Sequence, residues 1–570
     1  MTSHVAQFPL PESAYESISA EGIIEILVQR LNMEPFNAVV TLIFFLAIIH
    51  SLSVKYFIKK AHQYEHAYDA LKSARKVSRD FHSIKGGLYH FLGEVEVVFG
   101  LWSVVLAIAV AYQYNWHTFV DYLNSLTYVE PIFVIVIMII ASSRPVIKLF
   151  ELIIWRITRV FGGSLQAWWF TLLVVTAVSG SFITEPAAMT ICAMLLAEKF
   201  FVLDPSRPLK YATLALLFVN VSIGGSLTNF ASPPVLMVSE AWSWDTGFML
   251  MNFGWKAALA IVTSTVTYFF VFKKEFSDLK KPYDDLQYKR HIQNQFISPR
   301  ELELLFEDLE QNVDERMGFS MEVRAFSGIL KENMKTLANR KLTVDELHQY
   351  DVENAIEEKF ESIANKQIRR TLPGLLKPED RDPYIDPEWN LRNDHVPAWI
   401  MAVHVLFLLW TIINAHDMAL YLAGFLFYLG FYQITAFYQN RLDFRGPLLV
   451  GFFLAGLIIH GTLQAWWIAP ILSNLEPLAL NFTSIVLTAF NDNAAITYLS
   501  TLVPNFPDAL KYAVVSGAIT GGGLTILANS PNLIGQSLLK PFFKNGVDAG
   551  SLLKYALMPT AITALIFYLL

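Results

Sequence analysis

Charge is distributed very unevenly along this chain. Residues 273–396 hold 20 of the 43 Lys and Arg residues and 26 of the 50 Asp and Glu residues. The remaining 446 residues therefore carry only 47 charged side chains, whereas an ordinary soluble domain has about a quarter of its residues charged. Segments this apolar need a lipid bilayer around them. We predict an all-α polytopic membrane protein with a soluble helical insert at 273–396.

Composition excludes several other classes. The formal net charge of −7 argues against a nucleic-acid partner, which would require a basic face. Cys192 is the single cysteine, so disulfides, Cys-based zinc sites and iron–sulfur clusters are excluded. The insert contains no nucleotide-binding loop, metal-ligand spacing or nucleophile–base pair. We therefore expect neither an enzyme nor a bound cofactor.

Apolar segments of about 20 residues, the length needed to cross a bilayer, occur on both sides of the insert. Residues 1–35 lack the charged start of a signal peptide and are predicted to be an extracytoplasmic segment. The predicted crossings are 36–57, 95–115, 128–147, 209–240 and 247–272, then 397–414, 417–437, 446–462, 509–540 and 552–570. We predict two membrane repeats, 36–272 and 397–570, with five crossings each.

An internal repeat relates these two halves. Five segments of the first half recur in the same order in the second half, at offsets of 297 to 307 residues. The most specific match pairs Leu165-Gln-Ala-Trp-Trp169 with Leu463-Gln-Ala-Trp-Trp467, and the last pairs Lys256 with Lys554. Duplications of this kind are typical of secondary transporters.

The positions of Lys and Arg in short loops predict the orientation. Loop 58–90 is rich in both, whereas loop 116–127 has neither. The best assignment places the N-terminus outside, the insert inside and the C-terminus outside. It requires 149–161 to lie along the inner surface; the alternative, in which this segment crosses, stays open. Five crossings per half, an odd number, make the repeats inverted relative to each other.

Each half also contains a predicted re-entrant hairpin, at 165–200 and 463–505, in which apolar segments flank a polar tip. Glu185 lies at the first tip and Asp492 at the second. A carboxylate at mid-membrane costs at least about 2.5–3.5 kcal/mol, which favours a functional role. The alternative is that each carboxylate only caps a helix N-terminus. Lys256 and Lys554 are each predicted to begin the last helix of their repeat. At that position a lysine side chain can extend to the membrane interface, which explains the charge without a functional role.

A broken helix follows each hairpin, at 209–240 and 509–540. Paired glycines and a later proline interrupt both apolar segments, and the freed carbonyl groups are tolerable in a membrane only where they line a site. Oxygen ligands at close quarters suit Na⁺. The candidate ion- and substrate-binding residues at the tips and breaks are Thr184, Glu185, Thr228, Asn229, Ser232, Asn491, Asp492, Asn493, Thr525, Asn529, Ser530 and Asn532.

At these residues the chain resembles the ion-transporter superfamily, and most closely its Na⁺/H⁺ antiporter branch. The resemblance covers roughly 95–272 and 397–570, where each tip is followed by Ala-Ala and each Gly-rich break ends in Ser-Pro. It implies coordination of ion and substrate at the tips and breaks, a transport domain that moves against a scaffold, and a homodimer. It also implies a multi-pass protein of the bacterial inner membrane, with the insert in the cytoplasm.

The tips depart from the superfamily's anion symporters in an informative way. Those proteins carry Ser-Asn-Thr at both tips, whereas this chain has Thr184-Glu-Pro186 and Asn491-Asp-Asn493. Two acidic groups would repel a dicarboxylate and attract a cation. We therefore expect exchange of Na⁺ or Li⁺ for H⁺ at Glu185 and Asp492. A sodium-coupled symporter of a small organic anion, or a sensor or scaffold acting through the insert, are the alternatives.

Overall fold

The computed structural model describes residues 8–15, 22–73, 83–296, 304, 319–343, 346–347, 351–371, 389, 394–544 and 546–570. These residues form helices joined by turns, with no β-strand; an isolated bridge joins Lys544 to Gly546. The chain divides into two compact units, one of 1–272 with 396–570 and one of 273–395.

The first half of the larger unit runs from the N-terminal helices to the start of the insert. Its α-helices are α1 Ile23–Met33, α2 Phe36–Leu52, α3 Val54–Ser73, α4 Ile84–Leu92, α5 Val98–Gln113, α6 Trp116–Ser125, α7 Val129–Ala141, α8 Arg144–Val160, α9 Leu165–Thr171, α10 Ala177–Ile183, α11 Glu185–Lys199, α12 Arg207–Gly224, α13 Pro233–Ser239, α14 Thr246–Met249 and α15 Trp255–Val271. Single π-helical turns join α9 to α10 and α14 to α15.

The insert, considered by itself, contains the helices α16 Lys273–Asp278, α17 Lys280–Phe296, α18 Phe319–Lys341 and α19 Val352–Thr371. The sequence Thr343-Val-Asp-Glu346 has the Thr-x-x-Glu pattern that predicts a capping box, and the structure confirms it. Glu346 accepts the Thr343 N–H at 2.9 Å and donates its own N–H to the Thr343 hydroxyl at 3.4 Å. The Thr343 N–H bond lowers the pKa of Glu346. The sequence Ser298-Pro-Arg-Glu301 predicts a second capping box, which lies outside the described residues.

The second half continues with the helices α20 Ala398–Ile413, α21 Met418–Ile434, α22 Arg445–Gly461, α23 Ala465–Leu472, α24 Pro477–Thr488, α25 Asn493–Thr501, α26 Asp508–Gly521, α27 Pro531–Leu539 and α28 Ala549–Leu569. A 3₁₀ turn joins α22 to α23, so that 445–472 is one helix of 28 residues. The residues 463–472, which the sequence placed at the start of the second hairpin, therefore continue the preceding helix.

Seven helices of the described residues are long and apolar enough to cross a membrane, and up to nine if two bent helix pairs each count as one span. The seven are Val95–Gln113, Leu165–Ile183, Glu185–Leu203, Arg207–Leu227, Thr246–Val271, Arg445–Leu472 and Ala549–Leu569. Both arms of the first predicted hairpin are among them, at 19 residues each. The protein is thus an all-helical membrane protein, while five crossings per half stays a prediction.

The broken helices occupy the centre of the larger unit. Every residue of α12 from Leu209 to Gly224 is buried, because α10, α11, α15, α26 and α28 surround it. The two halves also pack reciprocally. Helix α11 of the first half contacts α27 of the second, and α25 of the second contacts α13 of the first. Each helix that begins at a tip therefore packs on the helix that follows the other half's break.

The helices α5, α7 and α22 form a second packed group. Their contact is close because α22 presents Gly456 to α5: a Cβ at this position would lie 2.5 Å from the Gly100 backbone nitrogen. That distance is too short for any side chain larger than hydrogen. Gly430 of α21, in contrast, has no atom within 4 Å of the corresponding position.

We expect Gly456→Ala to lower the thermal unfolding midpoint of the detergent-purified protein, because the added methyl group forces α5 and α22 apart at a cost of about 1–3 kcal/mol. The matched variant Gly430→Ala should be neutral or stabilising, since alanine favours helix by about 0.5–1 kcal/mol. Equal midpoints for the two variants would contradict this packing.

Candidate functional site

The turn between α10 and α11 has an unusual backbone. Thr184 lies there with a φ of 72°, a conformation that is rare for any residue other than glycine and costly for a β-branched one. Pro186 occupies the first turn of α11, where the fixed φ of proline matches the helical backbone. This geometry places Glu185 at the first residue of α11, where its side chain is fully buried.

Glu185 does not cap its helix, although it begins it. No side chain caps the N-terminus of α11. The Glu185 Oε2 atom instead accepts a hydrogen bond of 2.7 Å from the Nδ2 atom of Asn529, a residue that follows the glycines of the second break. Its Oε1 atom has no hydrogen-bond partner among the described residues. The absence of a side chain at Gly225 makes room for it, because a Cβ there would lie 2.5 Å from Oε1 and 3.0 Å from the Ser232 Cβ.

Asp492 has a different environment. Its Oδ1 atom accepts the Ala494 N–H at 2.9 Å and so caps α25, while its Oδ2 atom accepts the Ser530 hydroxyl at 3.2 Å. The residue is only 5% exposed. The capping interpretation therefore applies to Asp492 and not to Glu185. Asp492 caps its helix, whereas Glu185 accepts a hydrogen bond from the other half of the protein.

Polar side chains occupy the space between the two tips. Asn529 Nδ2 also lies 3.4 Å from the Ser222 hydroxyl oxygen of α12. A Cβ at Gly522 would lie 2.1 Å from that oxygen and 2.9 Å from Asn493 Nδ2, so Ser222 and Asn493 adjoin. The Asn493 side chain is fully buried, and both polar atoms of its amide lack a hydrogen-bond partner among the described residues. Such orphaned groups are rare in proteins, and an amide of this kind could hold a ligand.

The first break is stabilised by Ser181 of α10. Its hydroxyl donates to the Gly224 carbonyl at 2.7 Å and accepts the Leu227 N–H at 2.9 Å. Thr228 returns a hydrogen bond of 2.8 Å to the Ser181 carbonyl. The backbone groups released by the break are thus satisfied by the preceding arm.

The second break uses an amide for the same purpose. Asn532 Nδ2 donates to the carbonyls of Gly522 and Thr525, at 2.8 and 2.9 Å. The Thr525 hydroxyl donates to the Ala489 carbonyl at 2.7 Å, as Thr228 does to Ser181. Three of the residues predicted to bind ions, Thr228, Thr525 and Asn532, therefore hold the breaks in place.

The remaining predicted residues fall into two places. Thr184 and Ser530 line a cavity of about 20 Å³ between the first tip and the second break, and Ser232 is buried beside Glu185. Asn229 lies apart: it accepts the Thr246 hydroxyl at 2.8 Å and lines an open cavity of about 300 Å³ with Glu240 and Asp245. Asn491 is half-buried where the turn reaches Asp492.

Sequence reasoning missed two polar residues of this region, Ser222 and Ser181, and predicted Lys256 at the start of its helix. Ser222 and Ser181 belong to the centre through tertiary contacts, although Ser222 lies only two residues before Gly224 of the first Gly pair and could have been noticed. Lys256 lies inside the continuous helix Thr246–Val271 rather than at its start. It is 8% exposed, and its Nζ atom donates to the Tyr512 hydroxyl at 2.8 Å. Lys554, its counterpart in the repeat, is exposed.

Comparison with known proteins gives the family. Residues 35–304 and 376–570 match the model of a family described as "Putative Na+/H+ antiporter". The chain belongs to this family. No curated protein matches the sequence. The family match includes both tips and both breaks, and it extends beyond 95–272 and 397–570 into the N-terminal helices and both ends of the insert.

Family membership and the apolar helices together make this a multi-pass membrane transporter, of a kind that handles sodium ions and protons. The family is a transporter family rather than an enzyme class.

In this antiporter-family protein, Asp492→Ala should be less stable than Asp492→Asn by about 0.5–2 kcal/mol. Asparagine can still accept the Ala494 N–H and cap α25, whereas alanine cannot. The thermal unfolding midpoints of the two purified variants test this expectation. Indistinguishable midpoints would show that the Asp492 cap is not stabilising.

Proposed function

We propose that the protein exchanges Na⁺ or Li⁺ for H⁺ across the membrane, with Glu185 and Asp492 binding cation and proton alternately. The observation that carries this proposal is the pair of buried carboxylates, one from each half, at a cluster of polar side chains that includes Asn529, Ser222 and Asn493. Family membership supports cation–proton exchange in general.

The oxygen atoms around Glu185 suit a small hard cation. Glu185 Oε1, Ser232 Oγ and Asn493 Oδ1 are buried acceptors without a hydrogen-bond partner among the described residues. Carboxylate, hydroxyl and amide oxygens are the ligands that hard cations prefer. The Ser232 Cβ and Glu185 Oε1 both lie within 3.0 Å of one point beside Gly225, which places two of these groups side by side.

Competition for the same carboxylates explains why transport would be an exchange. A bare carboxylate in an apolar interior is unfavourable. Either a bound proton or a bound Na⁺ neutralises its charge, whereas an unoccupied carboxylate remains charged. A carrier that changes conformation only when this charge is neutralised must return with one ion after releasing the other. Asn529 can donate to Glu185 Oε2 in both occupied states.

The reciprocal packing of the two halves suggests the moving part. We infer that two inverted repeats contribute a hairpin and a broken helix each to a transport domain, in which α11 packs on α27 and α25 on α13. The group of α5, α7 and α22 would form the scaffold. We place the protein in the inner membrane of a bacterium. We place the insert in the cytoplasm, because Lys and Arg are concentrated in the loops on the insert's side.

The exchange proposal is tested in everted vesicles with an imposed pH gradient. We expect Na⁺ or Li⁺ to trigger a change in lumenal pH with the wild-type protein, and Glu185→Gln and Asp492→Asn each to reduce it to the background of vesicles lacking the protein. Both substitutions keep the size of the side chain and remove its charge.

Matched controls come from exposed carboxylates of the same halves. Glu198 lies on α11 with its side chain 51% exposed, and Asp508 begins α26 with its side chain 94% exposed. Glu198→Gln and Asp508→Asn should exchange ions like the wild type. If no cation changes the lumenal pH although the purified protein is monodisperse, the proposal fails, and sodium-coupled uptake of an organic anion becomes the next reaction to assay.

Shared carboxylates also predict a pH dependence. Because protons and Na⁺ compete for the same groups, lowering the pH should raise the apparent KM for Na⁺ in proteoliposomes, approaching about tenfold per pH unit where the carboxylates are mostly protonated. Saturating Na⁺ should restore the maximal rate. A maximal rate that falls with pH at constant KM would mean that proton and cation bind at separate groups.

A further inference from the structure

A second group of ionisable side chains lies away from the exchange site, on the two helices between the first candidate spans. His62 and Glu65 of α3 and His90 of α4 come together there. His62 Nδ1 lies 3.1 Å from one Glu65 carboxylate oxygen, and His90 Nε2 lies 3.0 Å from the other. One ligand atom from each of the three residues can be chosen so that all lie within 4.8 Å of one another.

Local structure and packing both contribute to this arrangement. His62 and Glu65 are three residues apart on α3, so they lie on the same face of the helix. Helix α4 begins at a serine cap, in which the Ser83 hydroxyl accepts the Gly86 N–H at 3.0 Å. It packs along α3, and the rings of Tyr64 and Tyr89 stack at a centroid distance of 5.4 Å. His90 follows Tyr89 directly and is thereby brought to Glu65.

The chemistry of the three groups is that of a divalent transition-metal site. Two imidazole nitrogens and one carboxylate form the His₂Glu ligand set that binds Zn²⁺, with metal–ligand distances of about 2.0–2.2 Å. Imidazole ligands favour Zn²⁺ or Co²⁺ over Mg²⁺ and Ca²⁺, which prefer oxygen. Small side-chain rotations would close the observed spacing, because the side chains of His62, Glu65 and His90 are 54%, 42% and 42% exposed.

We propose that His62, Glu65 and His90 bind one divalent transition-metal ion of the Zn²⁺ class, which links α3 to α4. The ion would replace the two histidine–glutamate hydrogen bonds, and the exposed side would leave a coordination position for water. Neither helix is among the candidate spans, so the site would be reached from the aqueous phase. The proposal does not depend on the exchange reaction, because none of the three residues belongs to the tips or breaks.

The test uses the full-length protein in detergent, freed of metal and without a histidine tag, and titrates it with Zn²⁺ in competition with a chromophoric chelator. We expect one equivalent to bind to the wild type. His62→Ala, Glu65→Gln and His90→Ala should each weaken Zn²⁺ binding by at least about tenfold. Zn²⁺ should also slow amide hydrogen exchange in α4 of the wild type and not in α4 of the His62→Ala variant.

His66 supplies the matched control, since it is an exposed histidine on the same helix outside the group of three. His66→Ala should bind Zn²⁺ like the wild type. Unchanged elution volume and unfolding midpoint without metal show that the three variants are folded. The proposal is overturned if the wild type binds Zn²⁺ no more tightly than a variant that carries all three of these substitutions, if His66→Ala loses as much affinity as His62→Ala, or if Mg²⁺ competes with Zn²⁺ at similar concentration.

Discussion

The hydrogen bond from Asn529 to Glu185 joins residues 344 positions apart in the chain. Several features of the packing and of the backbone are needed to bring the two residues together. Glu185 is fully buried, so its carboxylate needs a partner inside the protein. That partner comes from the second break, which must therefore meet the first tip. The packing of α11 on α27, the left-handed backbone of Thr184 and the absence of a side chain at Gly225 all allow this meeting.

The broken helices face a related problem, because they expose backbone groups in an apolar interior. Each break solves it with side chains of its own half: Ser181 and Thr228 in the first, Asn532 and Thr525 in the second. The two solutions differ in detail, since a hydroxyl in one half does the work of an amide in the other. A duplicated sequence has thus kept the same backbone requirement while changing the side chains that meet it.

The two tips have diverged in the same way. Both oxygens of Asp492 accept hydrogen bonds within its own half, from Ala494 and Ser530. Glu185 has one bond to the opposite half and one oxygen without a partner among the described residues. Sequence alone could not distinguish the two carboxylates, since both precede Ala-Ala at the start of a helix.

Local composition was sufficient to identify the apolar helices, the insert, the two acidic tips and the two breaks, because hydropathy, glycine and proline act over a few residues. It could not decide how helices continue or meet. Residues 463–467 continue the helix that begins at Arg445, whereas their repeat partners 165–169 begin a helix of their own. In the second half Gln464 and Trp466 form hydrogen bonds with Thr41 of α2. Tertiary contacts likewise bring Ser222 to Asn529 and His90 to Glu65. Each pair lies on different helices, so the spacing of the two residues in the sequence does not predict their contact.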